Sequence, residues 1–203
     1  TLNGEGLQHQ DGHSQVIAST VPNLLSYDPA FAGELAVIIR EGIRRMYEQQ
    51  ENVFYYITIH NENYAMPPMV EGSAEGIVRG MYRFRTGQAV ADRQRKAHLF
   101  GSGAIMTEVL RAQELLATLG VSADVWSVTS YNELCREGLR VERQNHLAAG
   151  SPSAKPYVAE LLAAEQGVFI AASDYMKSLP LGIARWVPGP YVVLGTDGYD
   201  HIG

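Results

Sequence analysis

Polar residues that could perform chemistry concentrate near the amino end of the sequence. Residues 3–14 read NGEGLQHQDGHS, which places Glu5, His9, Asp11 and His13 within nine residues among several glycines. Glycine lets the backbone approach a ligand closely. Histidine can transfer protons near neutral pH, and a neighbouring carboxylate can orient it or share its proton. The segment therefore predicts an acid–base or ligand-binding site on a loop.

Two other interpretations of the same segment remain open. His9 and His13 lie four residues apart, a spacing that puts two metal ligands on one face of a helix, but Gly12 disfavours that helix. The segment could also be a polar surface loop whose side chains cap neighbouring elements. Residue types alone do not separate these readings.

A second candidate is the pair Gly101 and Gly103, which stands between an apolar run and a helical pattern. Such a position can bind a phosphate at a helix start. However, Met106 occupies the place where the dinucleotide-binding fingerprint requires glycine or alanine. A tight turn from strand to helix is the favoured interpretation.

Isolated polar residues elsewhere have weaker functional signals. Asp174 and Asp197 each follow an apolar run, where ligands often bind, yet helix capping and turn formation are favoured. His60, at the end of its predicted strand, is interpreted as structural. Cys135 is the sole cysteine, so no intramolecular disulfide or cysteine-based zinc site is expected, and a structural thiol is favoured.

Strand-like and helix-like segments alternate along the rest of the chain. Asp28 and Pro29 predict a helix start, with amphipathic spacing to residue 49. Residues 16–26 and 53–59 suggest strands, the second buried on both faces. Further strands are predicted at 82–85 (an edge strand), 97–100, 123–128, 168–173 and 191–194, and helices at 105–119, 131–147, 156–164 and 176–186. This order predicts an α/β fold with a mostly parallel sheet and helices on both faces.

Composition excludes several classes of protein. The net charge of −6 argues against a general nucleic-acid binder, which needs clustered Lys and Arg. No apolar run is long enough to span a membrane, and the first residues do not resemble a targeting peptide. We expect a cytoplasmic protein. Neither end looks like a natural domain terminus, so a piece of a longer chain is expected, with a domain boundary near residues 69–73.

The opening motif resembles the active-site loop of the homodimeric bacterial pyruvate dehydrogenases, within the transketolase superfamily. Further stretches resemble that family in the same order: Ser26–Pro29, Tyr55–Thr58, Asn61–Tyr64, Gly101–Gly103, Ser127–Ser130, Ser173–Met176 and Leu194–Gly198. The likeness covers nearly the whole chain. It implies that residues 1–70 are the end of a pyrimidine-binding domain and residues 71–203 a truncated transketolase-like C-terminal domain.

The resemblance also implies a reaction. The family decarboxylates pyruvate on thiamine diphosphate with magnesium, and reductively acetylates the lipoyl group of a dihydrolipoyl acetyltransferase. It places Glu5 and His9 at the substrate side of the cofactor as catalytic residues, and Asp11 and His13 on the same loop as substrate-binding residues. A homodimer is the family's assembly, to which the C-terminal domain would contribute contacts.

The family's diphosphate and magnesium motif, and its cofactor-activating glutamate, have no counterpart in these 203 residues. We therefore expect no decarboxylase activity from this chain by itself. Two alternatives stay open: another transketolase-superfamily enzyme, such as a transketolase or a different 2-oxo-acid decarboxylase, and a non-catalytic dimerisation or binding domain.

Overall fold

The computed structural model describes residues 11–60, 63–89, 95–148, 153–198 and 201–202. The helices are α1 (Ser14–Ala18), α2 (Ala32–Ile43), α3 (Ala74–Arg79), α4 (Ile105–Thr118), α5 (Tyr131–Leu147), α6 (Tyr157–Leu161) and α7 (Ser178–Leu181). The strands are β1 (Leu24–Tyr27), β2 (Phe54–Ile57), β3 (Tyr82–Arg85), β4 (Lys96–Gly101), β5 (Ser122–Ser127), β6 (Val168–Met176), β7 (Tyr191–Gly198) and β8 (His201–Ile202). A π-helical turn, Arg44–Glu48, extends α2, and a 3₁₀ turn, Ala184–Trp186, follows α7.

The larger sheet has six strands in the order β3-β5-β4-β6-β7-β8. The four central strands are parallel, while β3 and β8 pair antiparallel at the two edges. Side chains alternate between the faces, as strand geometry requires. Phe100 and Trp126 join the core beneath α5, α6 and α7, whereas Leu99 and Val125 join the core beneath α4. The predicted α/β fold, with a mostly parallel sheet and helices on both faces, is confirmed.

The smaller sheet pairs β1 with β2 in parallel, with Leu25 opposite Tyr55. A third apolar cluster joins it to α2, α3 and the edge strand β3 through Leu25, Val37, Ile77 and Tyr82. The two sheets therefore share this apolar cluster. The predicted domain boundary near residues 69–73 stays a prediction. β2 is only partly covered, so the prediction of a strand buried on both faces is wrong.

The start of α2 differs from the prediction. The helix begins at Ala32 and not at Pro29, because the Asp28 carboxylate bonds to Thr58 and does not cap the helix. Glu34 caps it instead: its carboxylate accepts hydrogen bonds from the backbone N–H groups of Ala30 (2.6 Å) and Phe31 (3.2 Å). A carboxylate at this position satisfies amides that have no partner within the helix.

Other boundaries also changed. Residues 14–18 form a helix where a strand was suggested for 16–26, and only the last part of that segment is β1. The segment 176–186 is a short helix and a 3₁₀ turn and not one helix. By contrast, α5 has the predicted bounds, and Gly120 adopts a left-handed φ of +72° just after α4, as predicted for a helix end. Among the described residues, no helix combines the length and apolarity needed to cross a bilayer.

Gly138 determines how closely α5 packs on Trp186. A Cβ at this position would lie 2.3 Å from the indole ring, whereas a Cβ at Gly42 in α2 would meet Tyr55 at an ordinary 3.4 Å. Alanine favours both helices by up to about 1 kcal/mol. We expect Gly138→Ala to lower the free energy of unfolding by about 1–3 kcal/mol through overpacking.

Gly42→Ala is the matched control, which should leave the free energy of unfolding unchanged or slightly higher. Urea unfolding of both variants measures the difference. Equal stability of the two variants would contradict the close packing of α5 on Trp186.

Candidate functional site

The end of the predicted active-site loop is a tight turn built on Asp11. One carboxylate oxygen of Asp11 accepts hydrogen bonds from the backbone N–H groups of His13 (3.3 Å) and Ser14 (2.9 Å), and the other accepts from the Ser14 hydroxyl. These bonds satisfy free amides at the start of α1. Both oxygens of Asp11 are thus used within the turn, and they hold residues 11–14 in one arrangement.

The same turn rests on the carboxyl edge of the six-stranded sheet. The Gly12 carbonyl accepts a hydrogen bond from the backbone N–H of Met176, at the end of β6 (3.0 Å). A Cβ at Gly12 would lie 3.2 Å from the Thr196 hydroxyl of β7, so glycine permits the close approach. Ligands of parallel α/β sheets favour this edge. The turn at residues 11–14 therefore lies where a binding site is expected.

α1 is bound to the smaller sheet by the buried side chain of Gln15. Its amide nitrogen donates to the Tyr27 carbonyl (3.2 Å) and to the Thr58 hydroxyl (3.3 Å). The Gln15 carbonyl accepts from the side-chain amide of Asn132 in α5 (2.7 Å). The helix that carries the loop is thus hydrogen-bonded to both halves of the structure.

The carboxyl ends of β1, β2 and β4 meet at a buried polar region, which we call the inter-sheet junction: Asp28, Thr58, His60 and Gly103. The Asp28 carboxylate accepts from the Thr58 hydroxyl (2.6 Å), and His60 Nε2 lies 3.6 Å from the same carboxylate. His60 Nε2 accepts the backbone N–H of Ala104 (3.2 Å), so in this arrangement that nitrogen carries no proton.

Further hydroxyl groups are buried along the carboxyl edge of the larger sheet. Burial, reinforced by the nearby Asp28 carboxylate, raises the pKa of Tyr175, so this phenol stays protonated. The hydroxyls of Ser102 and Thr196 are buried and have no hydrogen-bond partner within the described part of the chain. Buried hydroxyls without protein partners are commonly bonded to water or ligand. These hydroxyl groups can therefore order water or the polar groups of a ligand.

Only two of the four predicted site residues lie among the described residues. Glu5 and His9 lie outside the described residues, as does one half of the alternative His9–His13 metal pair. Asp11 and His13 lie at the carboxyl edge of the sheet, as described above. Gln15 was not predicted as a supporting residue, because a single glutamine after the motif belongs to no recognisable pattern.

The remaining single-residue candidates from the sequence lie within turns, strands and helices of the fold. Gly103 forms the tight strand-to-helix turn with a left-handed φ of +49°. Asp174 and Asp197 lie inside β6 and β7 and not after them, and Asp197 pairs with Lys177 (2.8 Å). Neither aspartate begins a helix. Burial raises the pKa of the Cys135 thiol, which disfavours a nucleophilic thiolate.

A second cluster of titratable groups lies at the opposite, amino edge of the sheet: His98, Asp124 and Glu165, whose ligand atoms lie within 4.8 Å of one another. Two cations already neutralise the acids. Lys96 Nζ lies 2.7 Å from Asp124, and Arg83 pairs with Glu165. A divalent cation would add positive charge beside both, so this cluster favours an ion-pair network over a metal site.

Both ring nitrogens of His98 are also occupied. Its Nδ1 accepts the indole N–H of Trp126 (3.3 Å), since indole is only a donor, and its Nε2 lies 3.2 Å from the Gln166 carbonyl, to which it donates. Burial lowers the pKa of His98. The imidazole is thus held neutral.

Comparisons with known proteins place this geometry in a class. The chain aligns with the transketolase from Leishmania mexicana at a TM-score of 0.59 and 14% identity, over 96% of this chain and 24% of that one. The transketolase from Campylobacter jejuni aligns at 0.59 and 16% identity, over 98% of this chain and 25% of that one. The fold is therefore that of a transketolase-like α/β protein.

Two family models match the sequence: the pyruvate dehydrogenase E1 component middle domain over residues 1–67, and the transketolase-like C-terminal domain over residues 80–201. The pyruvate dehydrogenase E1 components of Pseudomonas aeruginosa and Escherichia coli K12 are 53% and 48% identical over 98% of this chain. The chain spans 23% and 22% of their lengths. This chain belongs to the pyruvate dehydrogenase E1 component family, which confirms the resemblance noted in the sequence.

The lack of a side chain at Gly103 allows Asp28 and His60 to pack closely against this turn. A Cβ there would lie 2.6 and 2.7 Å from the two carboxylate oxygens of Asp28 and 2.7 Å from His60 Nε2. We expect Gly103→Ala to lower the free energy of unfolding by about 2–4 kcal/mol, from steric overlap together with the left-handed φ.

The control Gly120→Ala has a similar φ of +72° but no neighbour within 4 Å, so it should lose only about 1–2 kcal/mol, the cost of the backbone conformation. Chemical denaturation of the two variants separates crowding from backbone strain. Similar losses in both would show that the junction tolerates a methyl group.

The low pKa of His98 makes stability pH-dependent. The unfolded histidine has a pKa near 6.5, and the folded one titrates below it, so acid protonates the unfolded chain first. The contribution of neutral His98 to the free energy of unfolding is therefore complete above pH 6.5. This contribution decreases as the pH drops below that value, by at most about 1.4 kcal/mol per pH unit.

We expect His98→Gln, which can still accept from Trp126 and donate to Gln166, to have a shallower loss of unfolding free energy between about pH 6.5 and 5. Urea unfolding at several pH values measures the slope. Replacement of the exposed His146 by glutamine is the control. A slope for His98→Gln as steep as the wild-type slope would contradict the assignment.

Proposed function

We propose that this chain is the substrate-side part of an enzyme that decarboxylates pyruvate on thiamine diphosphate and reductively acetylates the lipoyl group of a dihydrolipoyl acetyltransferase. The observation that carries the proposal is the family match over 98% of the chain, together with the Asp11–Ser14 turn at the carboxyl edge of the sheet. Whole-enzyme activity belongs to the longer parent chain, which we propose acts as a cytoplasmic homodimer.

Exposed apolar side chains support pairing of subunits. Ile39, Ile43 and Tyr47 follow one another along α2 and its π-helical turn, and each is at least 45% exposed. Phe54 of β2 is also exposed. Apolar patches of this kind mark interaction surfaces in soluble proteins. We therefore propose that α2 and β2 contribute to a subunit interface in the parent enzyme.

In this proposal, Glu5 and His9 act at the substrate. Glutamic acid and imidazole can bond to the carboxylate and keto oxygen of pyruvate, and His9 can also transfer a proton. His13 binds substrate from the same loop. Asp11 serves the substrate site by shaping the turn, since both of its carboxylate oxygens are engaged there.

We propose that the described part of the chain does not hold the cofactor's diphosphate or magnesium. Within that part of the chain, the one acid–histidine group with metal-ligand spacing is the cluster of His98, Asp124 and Glu165, which lies at the opposite edge and is neutralised by Lys96 and Arg83. We propose that both are held by the rest of the parent chain, and that the 203 residues alone are inactive.

The test uses the full-length enzyme. Glu5→Ala and His9→Ala should each lower kcat for pyruvate-dependent lipoyl acetylation by roughly 10²-fold or more, the usual contribution of a positioned acid–base group. The exposed Glu75 and His146 provide matched controls, as Glu75→Ala and His146→Ala. The isolated 203-residue chain, assayed with thiamine diphosphate and magnesium, should show no turnover.

A substrate panel completes the experiment. Turnover of a ketose phosphate in place of pyruvate would favour a transketolase and overturn the proposed reaction. Wild-type kcat in both loop variants would refute the roles of Glu5 and His9 while leaving the reaction in place.

A further inference from the structure

The helix that carries the candidate loop is too short to be stable on its own. α1 has five residues, little more than one turn, and isolated helices of this length do not form in water. Its conformation must therefore come from contacts at its ends and sides. Asp11 provides them at the amino end, and Gln15 provides them along its buried side.

One side chain from α5 bonds to the segment that joins the end of α1 to β1. The guanidinium of Arg136 donates through one nitrogen to the Val21 carbonyl (2.6 Å), and weakly to the Ala18 and Ser19 carbonyls (3.4 Å each). Its other terminal nitrogen donates to the Leu24 carbonyl, at the start of β1. One residue thus binds four backbone carbonyls between the end of α1 and β1.

Arginine suits this position for geometric and electrostatic reasons. The Ala18 and Val21 carbonyls each accept one backbone N–H (3.2 Å), and their second lone pair stays available to a cationic donor. Carbonyls at the end of a helix also carry partial negative charge. A planar guanidinium presents several N–H groups in fixed directions, whereas a lysine ammonium acts as a single compact charge. Glu133, one turn earlier in α5, accepts from the same group (3.0 Å) and orients it.

We propose that Arg136 is a positioning residue for the reaction, an inference that rests on the proposed function. Through α1 it holds the Asp11–Ser14 turn, which directly follows the segment that contains Glu5 and His9. In this proposal Arg136 acts on catalysis only through that turn. Catalysis would then depend on a contact between the C-terminal half of the chain and the helix next to the turn.

The test compares Arg136→Gln, Arg136→Lys and the control Arg140→Gln in the full-length enzyme. Arg140 lies one turn later in α5, its side chain is 59% exposed, and its polar partners are Glu137 and Gln144. Two measurements are made: amide hydrogen exchange of peptides covering residues 11–24, and kcat and KM for pyruvate.

We expect Arg136→Gln to speed exchange in residues 14–24 without changing exchange in β4 and β5, and to lower kcat by roughly 10–100-fold with a smaller change in KM, as for a misplaced catalytic group. Arg136→Lys, which keeps the charge and supports folding, should be intermediate in both measurements. Arg140→Gln should match the wild type.

Wild-type exchange in residues 14–24 of Arg136→Gln would overturn the proposal. So would a loss of activity that merely follows a global loss of folded protein, with exchange raised throughout the chain. If Arg136→Gln does not fold, wild-type exchange and kcat in Arg136→Lys overturn it equally. A wild-type enzyme that does not turn over pyruvate would refute the proposed function, and the exchange comparison would still decide whether Arg136 holds α1.

Discussion

The backbone and side chain of Asp28 hold the carboxyl edges of the two parallel sheets together. Its N–H donates to the Thr129 carbonyl (2.8 Å), its carbonyl accepts the N–H of Gly103 (3.0 Å), and its carboxylate accepts the Thr58 hydroxyl (2.6 Å). A buried carboxylate without such partners would be strongly destabilising. Because these bonds are directional, they set the angle between the sheets and bring His60 against the turn that begins α4.

Glu34 makes the second long-range polar contact. It caps α2 and also accepts hydrogen bonds from Tyr82 of β3 (2.8 Å) and Ser127 of β5. Burial raises the pKa of Glu34, although these hydrogen bonds act in the opposite direction. One side chain thus links α2 to two strands of the larger sheet, and it is buried from water.

The sequence predicted the elements that depend on local pattern. α5, the edge strand β3 and the turn at Gly120 followed from periodicity and glycine chemistry, and the fold class followed from the order of elements. Prediction from the sequence failed where the role of a residue depends on partners far along the chain. Asp28 precedes Pro29 as a helix cap would, but its carboxylate bonds across the junction. Glu34 has the position of an ordinary helix residue, and its partners lie 48 and 93 positions away in the sequence. The candidate loop was found by composition and family likeness, whereas the residues that support it had no local signal.

Apolar clusters and hydrogen bonds have different roles in this fold. Apolar clusters stabilise each sheet but specify orientation only loosely, whereas hydrogen bonds have fixed directions. The charges around α1 show the same principle. The acid Asp11 lies at its amino end and the cation Arg136 at its carboxyl end, the signs that favour a helix dipole. A helix with little intrinsic stability is thereby oriented by its surroundings, through Gln15 to Tyr27 and Thr58 and through Arg136 of the C-terminal half.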